Sequence, residues 1–214
     1  MATLRFHLGH IAWMRGSFDE AAEALHEAVA IFERVAPGDE HAARARCSLG
    51  MTLSMQGDAA AATAQFDAAV AASEGRDPWW AACARGWKGK TAAMSGDLDA
   101  AKAWLDDAVT AFERLGSAWG AGLFVGTAAE LHLAHGDVRR ARHFADTSIA
   151  LLEGVGFVHA LANVYDLRAM IARLDGDEPQ ARSLLHRSIE CYRHLGDDVT
   201  ALVVEGRLDR AETG

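Results

Sequence analysis

The chain has 214 residues, half of them hydrophobic, and a formal net charge of −9. An acidic chain repels phosphate backbones and anionic lipid surfaces, which argues against a direct nucleic-acid or membrane partner. No apolar run is long enough to span a bilayer, and no charged start followed by a pure apolar run marks a signal peptide. Cys47, Cys83 and Cys191 are odd in number and match no zinc or redox spacing, so a reduced, cytoplasmic protein is expected.

Alanine dominates, and proline occurs only three times. That composition favours helix over sheet throughout. In chain order, a first helix is expected over 2–15, broken by Gly16-Ser17, and a second over 17–35. Helices over 40–56 and 58–73 follow, divided by Gly57-Asp58. Asp77 and Pro78 then read as N-cap and first turn of a helix over 78–95. The stretch GDLDAAKAWLDDAVTAFERLG supplies the next helix, over 97–115, from its cap Asp97 to its terminal glycine, Gly116. Helices over 118–135, 137–153, 158–175 and 177–195 repeat the scheme, and a last one over 198–210 covers the end. No linker divides the chain.

The helices form an internal repeat. Gly16, Gly57, Gly96, Gly136 and Gly176 are spaced 41, 39, 40 and 40 residues apart, each followed by Asp or, once, Ser. Five residues after the glycine stand Ala21, Ala62, Ala101, Ala141 and Ala181; nine after stand Leu25, Phe66, Leu105, Ala145 and Leu185. Seven before it stand Gly9, Gly50, Gly89, Ala129 and Ala169. The small residues let two helices approach, and the bulky ones are expected to fill the seam between neighbouring hairpins. Such a unit cannot bury its apolar side alone, so copies must stack. The expected repeats are 1–36, 37–76, 77–116, 117–156 and 157–196, with a trailing cap helix at 197–211 whose polar, charged sequence suits a solvated end. The first helix lacks the few residues that precede its later copies. That is expected of a piece of a longer chain, or of a start that leaves an apolar flank open. An open flank invites a homodimer through the solenoid end.

The Gly-Asp turn, the small columns and the Leu/Phe column resemble the tetratricopeptide repeat family, over nearly the whole chain. The period departs from that family's usual length of about 34. The aromatic position early in the first helix is taken by Arg5, Arg46 and Arg85 in three repeats. The longer unit is similar to repeats of large bacterial transcriptional and signalling regulators. The resemblance implies an all-α fold, a right-handed superhelical solenoid of five antiparallel helix pairs plus a C-terminal helix, in a single domain.

In this family the first helix of each pair (helix A) lines the concave surface and the second (helix B) forms the outer wall. Carried over, residues six before each turn glycine face the groove: His10, Met51, Lys90, Glu130 and Met170. Trp13, Met14, Ser54, Met55, Met94, Leu133 and Arg173 join them, with Phe6, Cys47, Trp87 and Thr127 further out. Methionine adapts to irregular apolar partners, and tryptophan is a common anchor at interfaces. The expected occupant is a protein segment or peptide, with a small-molecule effector as the variant. Trp79, Trp119 and His159 share a column at the start of helix A, where packing against helix B and its loop is the ordinary fate.

Chemistry finds little purchase. His7/His10 and His132/His135 are spaced to share a helix face, but sequence places no third ligand, so no metal or cofactor is expected. There is no phosphate loop and no nucleophile elbow. Three readings follow. The first is a non-catalytic interaction scaffold. The second is a sensory ligand-binding module of a bacterial transcriptional regulator. The third is a solenoid-fold enzyme acting on a small molecule, which would need a closed pocket with a desolvated acid or base.

Overall fold

The computed structural model describes residues 1–35 and 40–210. Those residues form eleven helices: α1 (Ala2–Met14), α2 (Phe18–Val35), α3 (Glu40–Met55), α4 (Ala59–Ser73), α5 (Pro78–Met94), α6 (Leu98–Arg114), α7 (Ala118–Ala134), α8 (Val138–Val155), α9 (Val158–Leu174), α10 (Glu178–His194) and α11 (Asp198–Arg210). Every helix end falls within two residues of its expected place. The expected boundary between the first two repeats, at 36/37, and residue 211 lie outside the described residues. Odd-numbered helices are helix A of each pair and even-numbered ones helix B. Packing divides the chain into two compact units, Met1–Leu115 with α1–α6 and Gly116–Gly214 with α7–α11. Among the described residues, no helix is long and apolar enough to cross a membrane.

The Gly-Asp turn uses its two residues three ways. Gly57 takes a left-handed conformation at φ +85°, open to glycine without strain. Its amide donates to the Ser54 carbonyl, and the Asp58 amide donates to the Leu53 carbonyl, closing α3. The Asp58 carboxylate then accepts the Ala61 amide at 2.9 Å and opens α4. Asp97, Asp137 and Asp177 cap α6, α8 and α10 in the same way. One dipeptide thus ends one helix and starts the next.

The small and bulky columns meet within each hairpin. A Cβ added to Gly9, Gly50 or Gly89 would stand 2.6, 2.6 and 2.9 Å from Leu25 Cγ, Phe66 Cε1 and Leu105 Cγ. The bulky residues therefore also close their own hairpin, in addition to the seam between hairpins where they were expected. Leu25 does both, clustering also with Ala45 and Leu49 of the next pair.

The arginines that replace the family's aromatic residue bind helix B instead. Arg5 pairs with Glu27 at 2.7 Å, Arg85 with Asp107 at 3.1 Å, and Arg46 bonds Gln65 at 2.9 Å. Arg46 also pairs with Glu33, and Arg85 with Glu74, so these two tie their hairpin to the preceding pair as well.

Within the first unit α1 touches α3 and α3 touches α5; within the second α7 touches α9. No two B helices make comparable contact among the described residues. The A helices are therefore the more closely spaced set in each unit. In the second unit α11 packs Ala201, Val204 and Leu208 against α9 and α10. Its opposite face leaves Val199, Leu202 and Val203 more than half exposed. That face is apolar, so the solvated end expected from the charged residues of the segment is not what the helix presents.

Candidate functional site

A helix A has three faces to fill. One meets its own helix B, and one meets the preceding pair. The third is left without a packed neighbour. Positions six and two before the turn glycine lie one helical turn apart, on the side of helix A that is left unburied. In the first unit they are His10/Met14, Met51/Met55 and Lys90/Met94. None of these six is buried, and Met14, Met55 and Met94 are 71%, 42% and 54% exposed. Five of the chain's six methionines fall in these two columns, counting Met170 of the second unit. Exposed methionine in regular rows is not what core packing requires.

The polar members are held in place. His10 Nε2 lies 3.0 Å from Ser48 Oγ, linking α1 to α3, and its ring meets the Phe6 edge at 4.5 Å. Burial, and secondarily the charge of His7, lowers its pKa, so His10 is held neutral at physiological pH. The Lys90 ammonium sits 5.3 Å from the Trp87 ring centroid, within cation–π range. Trp13 is half-buried, and its indole N–H has no acceptor among the described residues.

Three residues expected to look into the groove do not. Cys47, Ser54 and Thr127 are buried. Cys47 and Ser54 face the adjacent A helix: Cys47 Sγ lies 4.0 Å from Cys83 Sγ, and Ser54 Oγ lies 2.8 Å from Thr91 Oγ1. Close contact between A helices leaves no opening at these positions. Contact with the Cys83 thiol, then burial, pushes the Cys47 thiol pKa far up, which makes it a poor nucleophile.

In the second unit Glu130 and Met170 occupy the same column and are exposed. Arg173 bonds the Arg207 carbonyl at 3.0 Å and Glu178 at 3.3 Å, which anchors α11. Leu133 packs against the core cluster of α7–α9. The residues two before the glycine here are Ala134 and Leu174, both exposed, and sequence reading passed over them. The register on Gly136 and Gly176 pointed to them; the apolar residues crowding α7 and α9 masked the stripe. Trp79 packs edge-on against Phe112 at 5.6 Å, and Trp119 lies tilted against Phe157 at 5.1 Å.

Two family models described as tetratricopeptide repeat match the chain, at residues 1–75 and 84–107. No curated protein sequence matches it. Among solved structures it is similar to BtubC (BKLC) of P. vanneervenii, with a TM-score of 0.68 at 16% identity, covering 88% of this chain and 78% of that one. The Rap conjugation gene regulator of plasmid pLS20, solved with the Phr* peptide, gives a TM-score of 0.79 at 14% identity; the match covers 90% of this chain and 53% of Rap. The chain thus spans about half of Rap's length. The pilF protein of Pseudomonas aeruginosa gives 0.64 at 14% identity, covering 100% and 92%.

Proposed function

We propose that this chain, a tetratricopeptide-repeat-like protein by its matched repeats and its fold, is a non-catalytic scaffold that holds an apolar protein segment against its A helices. The carrying observation is the row Met14, Met55 and Met94, exposed at one position of three successive A helices. Solvent-facing methionine costs free energy unless something covers it, and its flexible thioether adapts to partners of irregular shape. Met51 and Trp87 widen the apolar strip, and Lys90 adds one positive charge for an acidic group of the ligand. The spacing of the rows suits an amphipathic helix or an extended peptide. In the second unit Glu130, Met170 and Leu174 offer a similar strip of opposite charge.

A second reading keeps the ligand and adds a consequence: a sensory module in a bacterial regulator. It draws support from the likeness to the Rap regulator, which was solved with a peptide.

The test is selection from a displayed random-peptide library, followed by melting curves with the selected peptides. A ligand that binds only the folded state raises the melting temperature. Met55→Glu with Met94→Glu is expected to abolish that rise while leaving the ligand-free melting temperature unchanged, because both side chains are exposed. Retention of the full rise in the double variant defeats this assignment of the surface.

A further inference from the structure

We propose that Cys47 and Cys83 are an oxidation site, at which a small hydroperoxide converts two buried thiols into a disulfide that locks α3 to α5. The pair faces across the seam between the two helices, Sγ to Sγ 4.0 Å apart and 36 residues apart in the chain. Cys47 is fully buried, and Cys83 is 2% exposed. Their separation is set from both sides. Arg44 of α3 pairs with Asp77, the N-cap of α5, at 3.1 Å. Thr91 Oγ1 of α5 donates to Ser54 Oγ of α3 at 2.8 Å. Arg44 and Ser54 stand on either side of Cys47 along α3, and Asp77 and Thr91 on either side of Cys83 along α5. The two ties hold the sulfurs face to face in the folded chain, which makes their reaction with each other effectively unimolecular. A disulfide needs its sulfurs at about 2.0 Å, so about 2 Å of travel remains. Turning both side chains about χ1 shares that travel between them.

One oxidant balances the chemistry. The first thiol loses its proton, and its sulfur attacks an oxygen of hydrogen peroxide. The O–O bond breaks, the sulfur becomes a sulfenic acid, and the released hydroxide takes up the proton as water. The second sulfur then attacks the sulfenic sulfur. The S–S bond forms, the S–O bond breaks, and the second thiol proton leaves with that oxygen as another water. Two thiols and one peroxide give one disulfide and two waters. Hydrogen peroxide is little larger than water, so it enters a seam that excludes a bulky disulfide oxidant. The contact with Cys83 and the burial that raise the Cys47 pKa make the first step slow. The same burial shields the product from bulky thiol reductants. The pair is therefore a latch that closes under sustained oxidation, not a fast sensor. Once closed, it joins covalently the two helices that carry Met51, Met55, Lys90 and Met94.

Prolonged exposure of the whole native chain to hydrogen peroxide tests this, with the remaining thiols alkylated in denaturant and mapped by mass spectrometry. Cys47 and Cys83 are expected to resist alkylation and their peptides to be joined, a link that a phosphine reductant removes after unfolding. The treatment should raise the melting temperature roughly 5–15 °C more in the wild type than in Cys47→Ala or Cys83→Ala, because closing a loop of this length stabilises the chain. Methionine oxidation is common to all three proteins, so the difference reads the cross-link. Cys191→Ala should keep both the link and the rise. Cys47 and Cys83 recovered as free thiols, or as sulfinic acids without a link, overturn the proposal. So does a link that runs through Cys191. The wild-type mapping decides these points even where an alanine variant fails to fold. A Cys47–Cys83 link without the added rise rejects the lock between α3 and α5.

Discussion

Replacing Gly50 by alanine sets two effects against each other. In an exposed helix interior the change is worth about 0.8–1.0 kcal/mol in favour of the folded state. Gly154 of α8 and Gly206 of α11 are helical, and an added Cβ at either would meet nothing within 4 Å. Alanine at either is therefore expected to stabilise by somewhat under about 1 kcal/mol. At Gly50 the new Cβ stands 2.6, 2.8 and 2.9 Å from three ring atoms of Phe66, which is fully buried and cannot swing aside. Overpacking of this kind costs about 1–3 kcal/mol, so the net expectation is a loss of up to about 2 kcal/mol. Phe66→Ala alone should cost about 3–5 kcal/mol. With the ring gone the collision is gone, so Gly50→Ala in the Phe66→Ala background should turn stabilising. That reversal of sign is the discriminating result. Urea unfolding of the four proteins, followed by circular dichroism, gives the cycle; a coupling above about 1 kcal/mol is expected for residues in contact. If Gly50→Ala is as stabilising as Gly154→Ala, close approach of α3 and α4 is not what keeps glycine at that position.

Two further outcomes follow from the site and the thiols. Because burial holds the His10 pKa below 6.5, the unfolded chain takes up this proton first as pH falls. The native state is thus fully favoured above pH 6.5 and loses stability below it, down to the lowered native value. His10→Gln should flatten this part of the melting-temperature profile, and an unchanged slope would show that His10 does not set it. For the cysteines, alkylation followed by mass spectrometry should label the half-buried Cys191 in the native protein and leave Cys47 and Cys83 until unfolding. Labelling of Cys47 as fast as Cys191 would contradict the packing of α3 on α5.

The helices were legible because their signals are local. A glycine that must turn left, an aspartate that caps the next residues and a column of alanine each act within a few positions, so all five turns and every helix end could be read from the letters. The arginine column was visible but not its purpose. Arg5, Arg46 and Arg85 looked like departures from the family pattern, and only the placement of Glu27, Gln65 and Asp107 across the hairpin shows them as replacement contacts. Cys47 and Ser54 failed for a different reason. Their angular position on α3 is near the groove face, and what buries them is the distance to α5, a quantity that no single helix encodes. The uncovered side of α11 was missed because its charged residues are scattered along the segment, while Val199, Leu202 and Val203 gather on one side.

The two methionine columns gain meaning from what the other columns already do. The positions five, seven and twelve before the turn glycine are committed to packing, and in the later repeats their occupants are buried whatever their type, threonine and glycine included. The positions six and two before it vary among His, Met, Lys, Glu, Ala and Leu and are never buried. Freedom from packing explains the variation; it does not explain why five of the ten are methionine. Alanine or lysine would serve a solvated helix face as well, at lower hydration cost and with equal or better helix propensity. A surface that collects flexible apolar side chains at unconstrained positions is therefore better explained by something that covers it than by the stability of the helices that carry it. The loss of peptide binding in Met55→Glu with Met94→Glu, at unchanged stability, is the outcome on which that inference turns.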